Sequence, residues 1–78
     1  MGSQELSEEV RATLREAPFA MRQLADDAGL SYDVLRSWRS ARRRPSRQSA
    51  ARLADGVQRR GERMLELARK LRAAAREE

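Results

Sequence analysis

The chain has 78 residues, with 17 Lys and Arg against 12 Asp and Glu, and it contains neither Cys nor His. This length allows one domain with a small core. The lack of Cys and His excludes a disulfide scaffold, a Cys/His zinc site and catalysis by a Ser-His-Asp or Cys-His arrangement. A glycine-rich phosphate loop and converging carboxylates are also missing. We therefore expect no enzyme, no metal and no cofactor.

No apolar run approaches the roughly 20 residues of a membrane span. Residues 1–10 are acidic and lack the apolar segment of a signal peptide. These features predict a soluble, cytoplasmic protein.

The charge is concentrated in one block. Residues 1–35 carry three arginines and seven acids, a net charge of −4, whereas residues 36–52 carry seven arginines and no acid. Residues 53–78 add +2. A local basic block is typical of a phosphate-binding surface. The alternative is a solvated, arginine-rich loop.

The first half of the chain predicts two helices, because β-branched residues are scarce and no stretch alternates with period two. Ser7 is the expected N-cap of the first helix, which ends before Pro18. Residues 1–6 before that cap are expected to be disordered. A second helix is predicted over about 20–28, with Gly29 as its C-cap.

The second half predicts two more helices. Ser31 is the expected N-cap of a third helix over about 32–41. Ser46 then caps a fourth helix that continues towards the C-terminus, interrupted only by Gly56 and Gly61.

The second and third predicted helices have a helix-turn-helix layout, in which two short helices are joined by a tight turn. Ala25 is small where the helices cross, and Leu30 fills the turn. Leu35 and Trp38 face inward from the third helix.

These residues resemble the Cro/repressor-type helix-turn-helix family, often called XRE-like. The resemblance covers residues 14–57 and is strongest at Leu24-Ala25, at 28–31, and from Trp38 through Pro45-Ser46 to 52–54. It implies an all-α fold: a compact four- to five-helix, lambda-repressor-like domain over residues 7–58. It also implies that the domain binds operator DNA, usually as a homodimer, and represses transcription.

The chain departs from the family pattern at four positions. Met21 stands where members commonly have a polar residue that contacts a phosphate, and Ala20 stands where many have a Ser or Thr cap. Arg39 and Ala41 replace a glutamate and a glycine after the tryptophan, so a familiar internal salt bridge is absent.

The docking mode of the family implies that the third helix enters the major groove with its N-terminus first. The expected base contacts are Ser31, Tyr32, Asp33, Arg36 and Ser37. Arginines around the following loop are expected to bind phosphates: Arg39, Arg42, Arg43, Arg44 and Arg47. The alternative for Arg36 is a surface pair with Asp33.

The end of the chain follows a heptad pattern, with Leu53, Val57, Arg60, Met64, Leu67, Leu71 and Ala74 alternating by four and three. The small body cannot bury so long a stripe, so residues 59–78 are predicted to form a helix for dimerisation. The interface is expected to include Val57, Met64, Leu67 and Leu71. The alternative is that Gly61 breaks this helix and the last segment folds back onto the body.

Three functions are compatible with these features. The first is a homodimeric transcriptional regulator that reads double-stranded DNA. The second is a DNA-docking subunit of a recombination, excision or partition system. The third is a helical interaction module whose arginines bind an acidic protein.

Overall fold

The computed structural model describes residues 3–77, and all regular structure in this range is helical. The four helices are α1 (Ser3–Glu16), α2 (Met21–Ala28), α3 (Tyr32–Arg39) and α4 (Arg47–Glu77). The predicted all-α class and the long C-terminal helix are confirmed. Residues 3–77 form four helices, where four or five were expected.

Helix α1 begins at Ser3, five residues earlier than the start after an N-cap at Ser7 predicts. Ser7 lies inside the helix and is buried, so its assignment as the N-cap is wrong. Residues 3–6 are helical, which corrects the expected disorder over that range, whereas residues 1 and 2 lie outside the described part of the chain. The earlier start has a packing reason, since Leu6 packs against the core one turn before Val10. Helix α1 ends at Glu16, before Pro18, as predicted.

The turn between α2 and α3 has the predicted capping residues. Gly29 has φ +68°, a left-handed conformation that glycine adopts without steric cost. The amide of Leu30 donates to the Ala25 carbonyl at 2.9 Å, as in a Schellman cap. The Ser31 hydroxyl then accepts the Val34 amide at 3.1 Å, which caps α3. This turn fixes how α3 is presented beside α2.

Helix α3 ends at Arg39, two residues before the predicted end. Ser40 is its C-cap, and Ala41 then adopts a positive φ of 64°. The amides of Arg42 and Arg43 turn back to the Ser37 carbonyl, at 2.9 and 3.3 Å. The chain therefore leaves the helix axis at this point, because loop amides replace the next helical hydrogen bonds.

The core lies where the first three helices meet the first half of α4. Leu24 and Leu35 are completely buried, and Trp38 is 4% exposed. The other side chains of this core cluster are Val10, Leu14, Ala25, Ala28 and Leu53. Helix α4 closes the body, with α2 as its main neighbour.

One glycine is required by the contact between α2 and α4. A Cβ atom at Gly56 would lie 2.8 Å from the backbone nitrogen of Ala28 and 2.9 Å from its Cα. Gly56 is therefore a point of close helix approach and does not interrupt α4.

Helix α4 projects beyond the body. Its 31 residues span about 46 Å, and the molecule measures 52 × 25 × 19 Å. The radius of gyration, 15.2 Å, exceeds the roughly 11.5 Å of a compact domain of this length. Gly61 does not break the helix, so the alternative of a folded-back last segment is not what the structure has. No helix among residues 3–77 is long and apolar enough to cross a membrane.

Candidate nucleic-acid interface

The outward side of α3 presents a mixed polar surface. Asp33 and Arg36 are exposed and Tyr32 is half-buried. Arg36 Nη1 lies 3.9 Å from Asp33 Oδ1, one turn apart, with side chains 56% and 90% exposed. Exposed pairs of this length contribute little, about 0–1 kcal/mol. The guanidinium of Arg36 can therefore leave Asp33 for a stronger partner at small cost.

The ring of Tyr32 is held between two arginines. The Cζ atom of Arg22, from α2, lies 4.4 Å from the ring centroid, and that of Arg36 lies 5.8 Å away. Both distances allow a cation–π interaction. Tyr32 and Arg36 also line a shallow pocket of about 390 Å³, together with Met21, Arg39 and Ser40. Tyr32 is thus oriented by its neighbours at the start of α3.

Two of the expected base contacts, Ser37 and Ser31, already form hydrogen bonds within the chain. Ser37 is only 8% exposed, and its hydroxyl donates to the Asp33 carbonyl at 2.9 Å. This burial disfavours the expected base contact of Ser37, because the side chain is turned away from solvent. Ser31 is exposed, but its hydroxyl already accepts a hydrogen bond from the Val34 amide. Its O–H donor and one acceptor site remain for a base.

The arginines expected to bind phosphates are all exposed: Arg39, Arg42, Arg43, Arg44 and Arg47. The turn at Ala41 places three of them on the loop between α3 and α4. The Nε atom of Arg42 donates to the Ser40 hydroxyl at 3.2 Å, which orients that guanidinium. The structure therefore presents the basic block of the sequence as a surface.

Helix α1 adds a basic side chain that the sequence pattern did not indicate. Arg43 and Arg44 line a cavity of about 270 Å³ with Arg11, Gln4 and Ser7 of α1. Arg11 is distant in sequence from the basic block, so only the packing of α1 on α3 brings it there. Arg22 of α2 is also distant from the basic block in sequence, and the packing of α2 on α3 places it over the Tyr32 ring.

Arg60 has a structural role that the heptad pattern did not predict. It forms a hydrogen-bonded ion pair with Asp27 of α2, and its Cζ lies 5.0 Å from the centroid of the Phe19 ring. The hydrogen bond from Arg60 holds the pKa of Asp27 below its usual range, and the positive charges of Arg60, Arg59 and Arg63 act in the same direction. Arg59 also donates to the Asp27 backbone carbonyl. This cluster fixes α4 to α2.

The residues expected at a dimer interface divide into two groups. Val57 is half-buried and packs against the core of its own body, so less of its side chain is exposed to a partner than was expected. Met64, Leu67 and Leu71 are 51%, 50% and 72% exposed on the projecting half of α4, and Leu65 beside them is 58% exposed. The unpartnered stripe therefore begins at Met64.

Residues 3–77 contain no group of three or more acidic side chains placed to hold a metal ion. Comparisons of the chain with protein-family models, with curated proteins and with solved structures found no match.

Proposed function

We propose that the protein binds double-stranded DNA in a sequence-specific way, as a homodimeric transcriptional repressor of the helix-turn-helix type. One observation carries the proposal. The exposed face of α3, with Tyr32 and Arg36, leads directly into a loop of exposed arginines, and no acid occurs between residues 36 and 52.

In this proposal α3 lies in the major groove. Arg36 donates two hydrogen bonds to O6 and N7 of a guanine, the commonest specific contact between a side chain and a base. It gives up only the exposed 3.9 Å pair with Asp33. Asp33 then accepts from a cytosine amino group or stabilises the N-terminus of α3. Tyr32, held by Arg22 and Arg36, contacts a thymine methyl group or a phosphate.

The loop arginines act differently, because phosphate contacts set affinity and register but carry no sequence information. Each neutralised phosphate releases condensed counterions, which favours binding at low salt. Arg39, Arg43 and Arg47 form no ion pair with another described residue, so their guanidinium groups are available for this role. Arg11 and Arg22 extend the same basic surface.

The homodimer is proposed from the projecting half of α4, whose apolar side chains have no partner within the described chain. A dimer presents two copies of α3 to two half-sites, so a palindromic operator is the expected ligand.

Two variants with equal charge changes test the DNA interface. Arg39, Arg43 and Arg47 are replaced by Gln in the first, and Arg69, Arg72 and Arg76 of the projecting half of α4 in the second. Residues 47 and 69 lie about 33 Å apart along the helix. At about 100 mM salt we expect the first variant to lose at least about tenfold in affinity for duplex DNA, and the second to lose much less.

Fluorescence anisotropy with labelled duplexes measures both affinities, and circular dichroism checks that both variants fold. Equal losses in the two variants would mean that the attraction depends on net charge alone. If the wild-type protein bound no duplex, or if the first variant bound as tightly as the wild type, the proposal would be wrong.

A further inference from the structure

We propose that the projecting half of α4 pairs with the same segment of a second copy in antiparallel orientation, centred near residue 69. This inference rests on the homodimer part of the proposed function and does not depend on DNA binding. It gives the dimer a defined orientation and register.

The exposed stripe continues a face of α4 that is already buried. At 100° per residue, Met64, Leu67 and Leu71 lie within about 60° of one another, on the same side of the helix as Leu53. Leu53 is 2% exposed because it packs in the core of the body, whereas the side chains of Met64, Leu67 and Leu71 are half to three-quarters exposed. The body covers the first half of this face, and the second half needs a partner with a matching heptad stripe.

The two flanks of the stripe are different, and this difference selects the orientation. One flank carries only small residues, Gly61, Ala68 and Ala75, whereas the other carries Arg63, Lys70 and Glu77. In a parallel pair each small flank would face the charged flank of the partner, so no opposite charges would meet. In an antiparallel pair the small flanks face each other and the charged flanks face each other.

A centre near residue 69 gives a consistent register. Leu67 packs against the partner subunit's Leu71, and Met64 packs against the partner subunit's Ala74, in two symmetric copies. On the small flank, the two copies of Ala68 meet at the twofold axis, which allows close approach of the helices.

The charged flank is complementary in this register. Arg63 faces the partner subunit's Glu77, twice by symmetry, and neither residue forms an ion pair with another described residue of its own chain. The one unfavourable meeting is between the two copies of Lys70. Its Nζ lies 3.6 Å from Glu66 Oε1 on the same helix, which offsets part of that charge.

Gly61 supports the same arrangement. A glycine inside a helix is destabilising relative to alanine, and a Cβ at Gly61 would meet nothing within 4 Å in its own chain. No contact within the described residues therefore requires glycine at this position. In the antiparallel register the partner subunit's Ala75 lies against it on the small flank.

A charge exchange tests the orientation, with the dimer dissociation constant measured by analytical ultracentrifugation in the absence of DNA. Arg63→Glu and Glu77→Arg should each weaken the dimer by about tenfold, because each creates two like-charge pairs. The two substitutions together should restore the wild-type constant. Arg69→Glu has the same charge change as Arg63→Glu but lies away from the stripe, and it should change the constant by less than about twofold.

Cysteine crosslinking gives a second readout, because the chain has no cysteine of its own. Ala68→Cys should form a disulfide-linked dimer on mild oxidation, since the antiparallel register places the two copies side by side. Ala73→Cys, on the outer side of the helix, should not. A wild-type dimer in which the double exchange fails to restore association, or in which Ala68→Cys does not crosslink, overturns the antiparallel register and leaves the homodimer standing. A monomeric wild-type protein overturns both. Neither result bears on the duplex-binding comparison of the arginine variants.

Discussion

At the scale of single residues, the ion pair between Asp27 and Arg60 connects α2 and α4 through two residues that are 33 positions apart in sequence. Arg60 lies at the point where α4 leaves the body, between the Asp27 carboxylate and the Phe19 ring. Its side chain therefore fixes the direction in which the projecting half of α4 extends. The lowered pKa of Asp27 makes this contact sensitive to acid.

The substitution Asp27→Asn should reduce stability in a pH-dependent way. A carboxyl group whose pKa is lowered in the folded state stabilises that state above its unfolded pKa of about 3.9. This contribution is lost as the pH falls through the lowered pKa that Asp27 has in the folded protein. We expect the variant to have a lower Tm than the wild type at pH 7, with a difference that shrinks below about pH 4.

Asp26→Asn is the matched control, because Asp26 is exposed and forms no ion pair with another described residue. Thermal unfolding followed by circular dichroism between pH 2.5 and 7 measures all three proteins. A Tm difference for Asp27→Asn that is the same at every pH would show that the carboxylate charge does not provide the stabilisation.

Arg36 and Arg43 should differ in what they contribute to DNA binding. Arg36→Ala should cost about 1–3 kcal/mol on the preferred operator and relax the preference at one base position in each half-site. Arg43→Ala should weaken binding to all DNA sequences about equally. It should also reduce the slope of log K against log salt concentration by about 1 for each subunit. Competition against a panel of single-base operator variants measures both effects. A change of base preference in Arg43→Ala but not in Arg36→Ala would mean that α3 does not lie in the groove as proposed.

Part of the candidate site was predictable from the sequence, because exposed arginines without nearby acids remain on the surface in almost any fold. The direction of a side chain on a short helix was less predictable. Ser37 was expected to face outward, but α3 turns it inward, where its hydroxyl binds the Asp33 carbonyl. The contributions of Arg11 and Arg22 depend on tertiary packing and have no local sequence signal.

At the scale of helices, the capping residues predicted two of the turns well. Gly29, Ser31 and Ser46 act where expected, because each satisfies backbone groups within four residues of itself. Ser7 was misassigned because a serine followed by glutamates is a strong local cap signal, whereas the packing of Leu6 on the core extends the helix past it. The early end of α3 depends on the positive φ of Ala41, which a sequence pattern does not indicate.

The two glycines of α4 should respond in opposite ways to substitution by alanine. Gly56→Ala places a Cβ within 3 Å of the α2 backbone, so the helices must move apart, at a cost of about 1–3 kcal/mol. In the monomeric chain that Leu67→Glu with Leu71→Glu is expected to give, Gly61→Ala meets open space and should stabilise the helix by about 0.5–1 kcal/mol. Urea unfolding of both variants at one protein concentration measures the two free energies. If Gly56→Ala were as stable as the wild type, the close approach of α4 to α2 would be wrong.

At the scale of the whole molecule, an elongated shape follows from a small body with a long final helix. The substitutions Leu67→Glu and Leu71→Glu together should give a folded, helical monomer, because both side chains project beyond the body. This monomer should lose cooperative binding to a palindrome of two half-sites but retain weak affinity for any duplex. Sedimentation, circular dichroism and a gel shift on the one variant test this. A variant that remains dimeric places the interface elsewhere on the surface.

The salt dependence of binding to duplex DNA tests the central claim most directly. If each subunit neutralises about four to six phosphates, the logarithm of the association constant should fall linearly with the logarithm of salt concentration, with a slope of about −4 to −5 per subunit. Affinity should then decrease by orders of magnitude between about 50 and 200 mM salt. A slope near zero, or no binding to any duplex at the lowest salt, would contradict the assignment of the exposed face of α3 and its arginine loop as a DNA-binding surface.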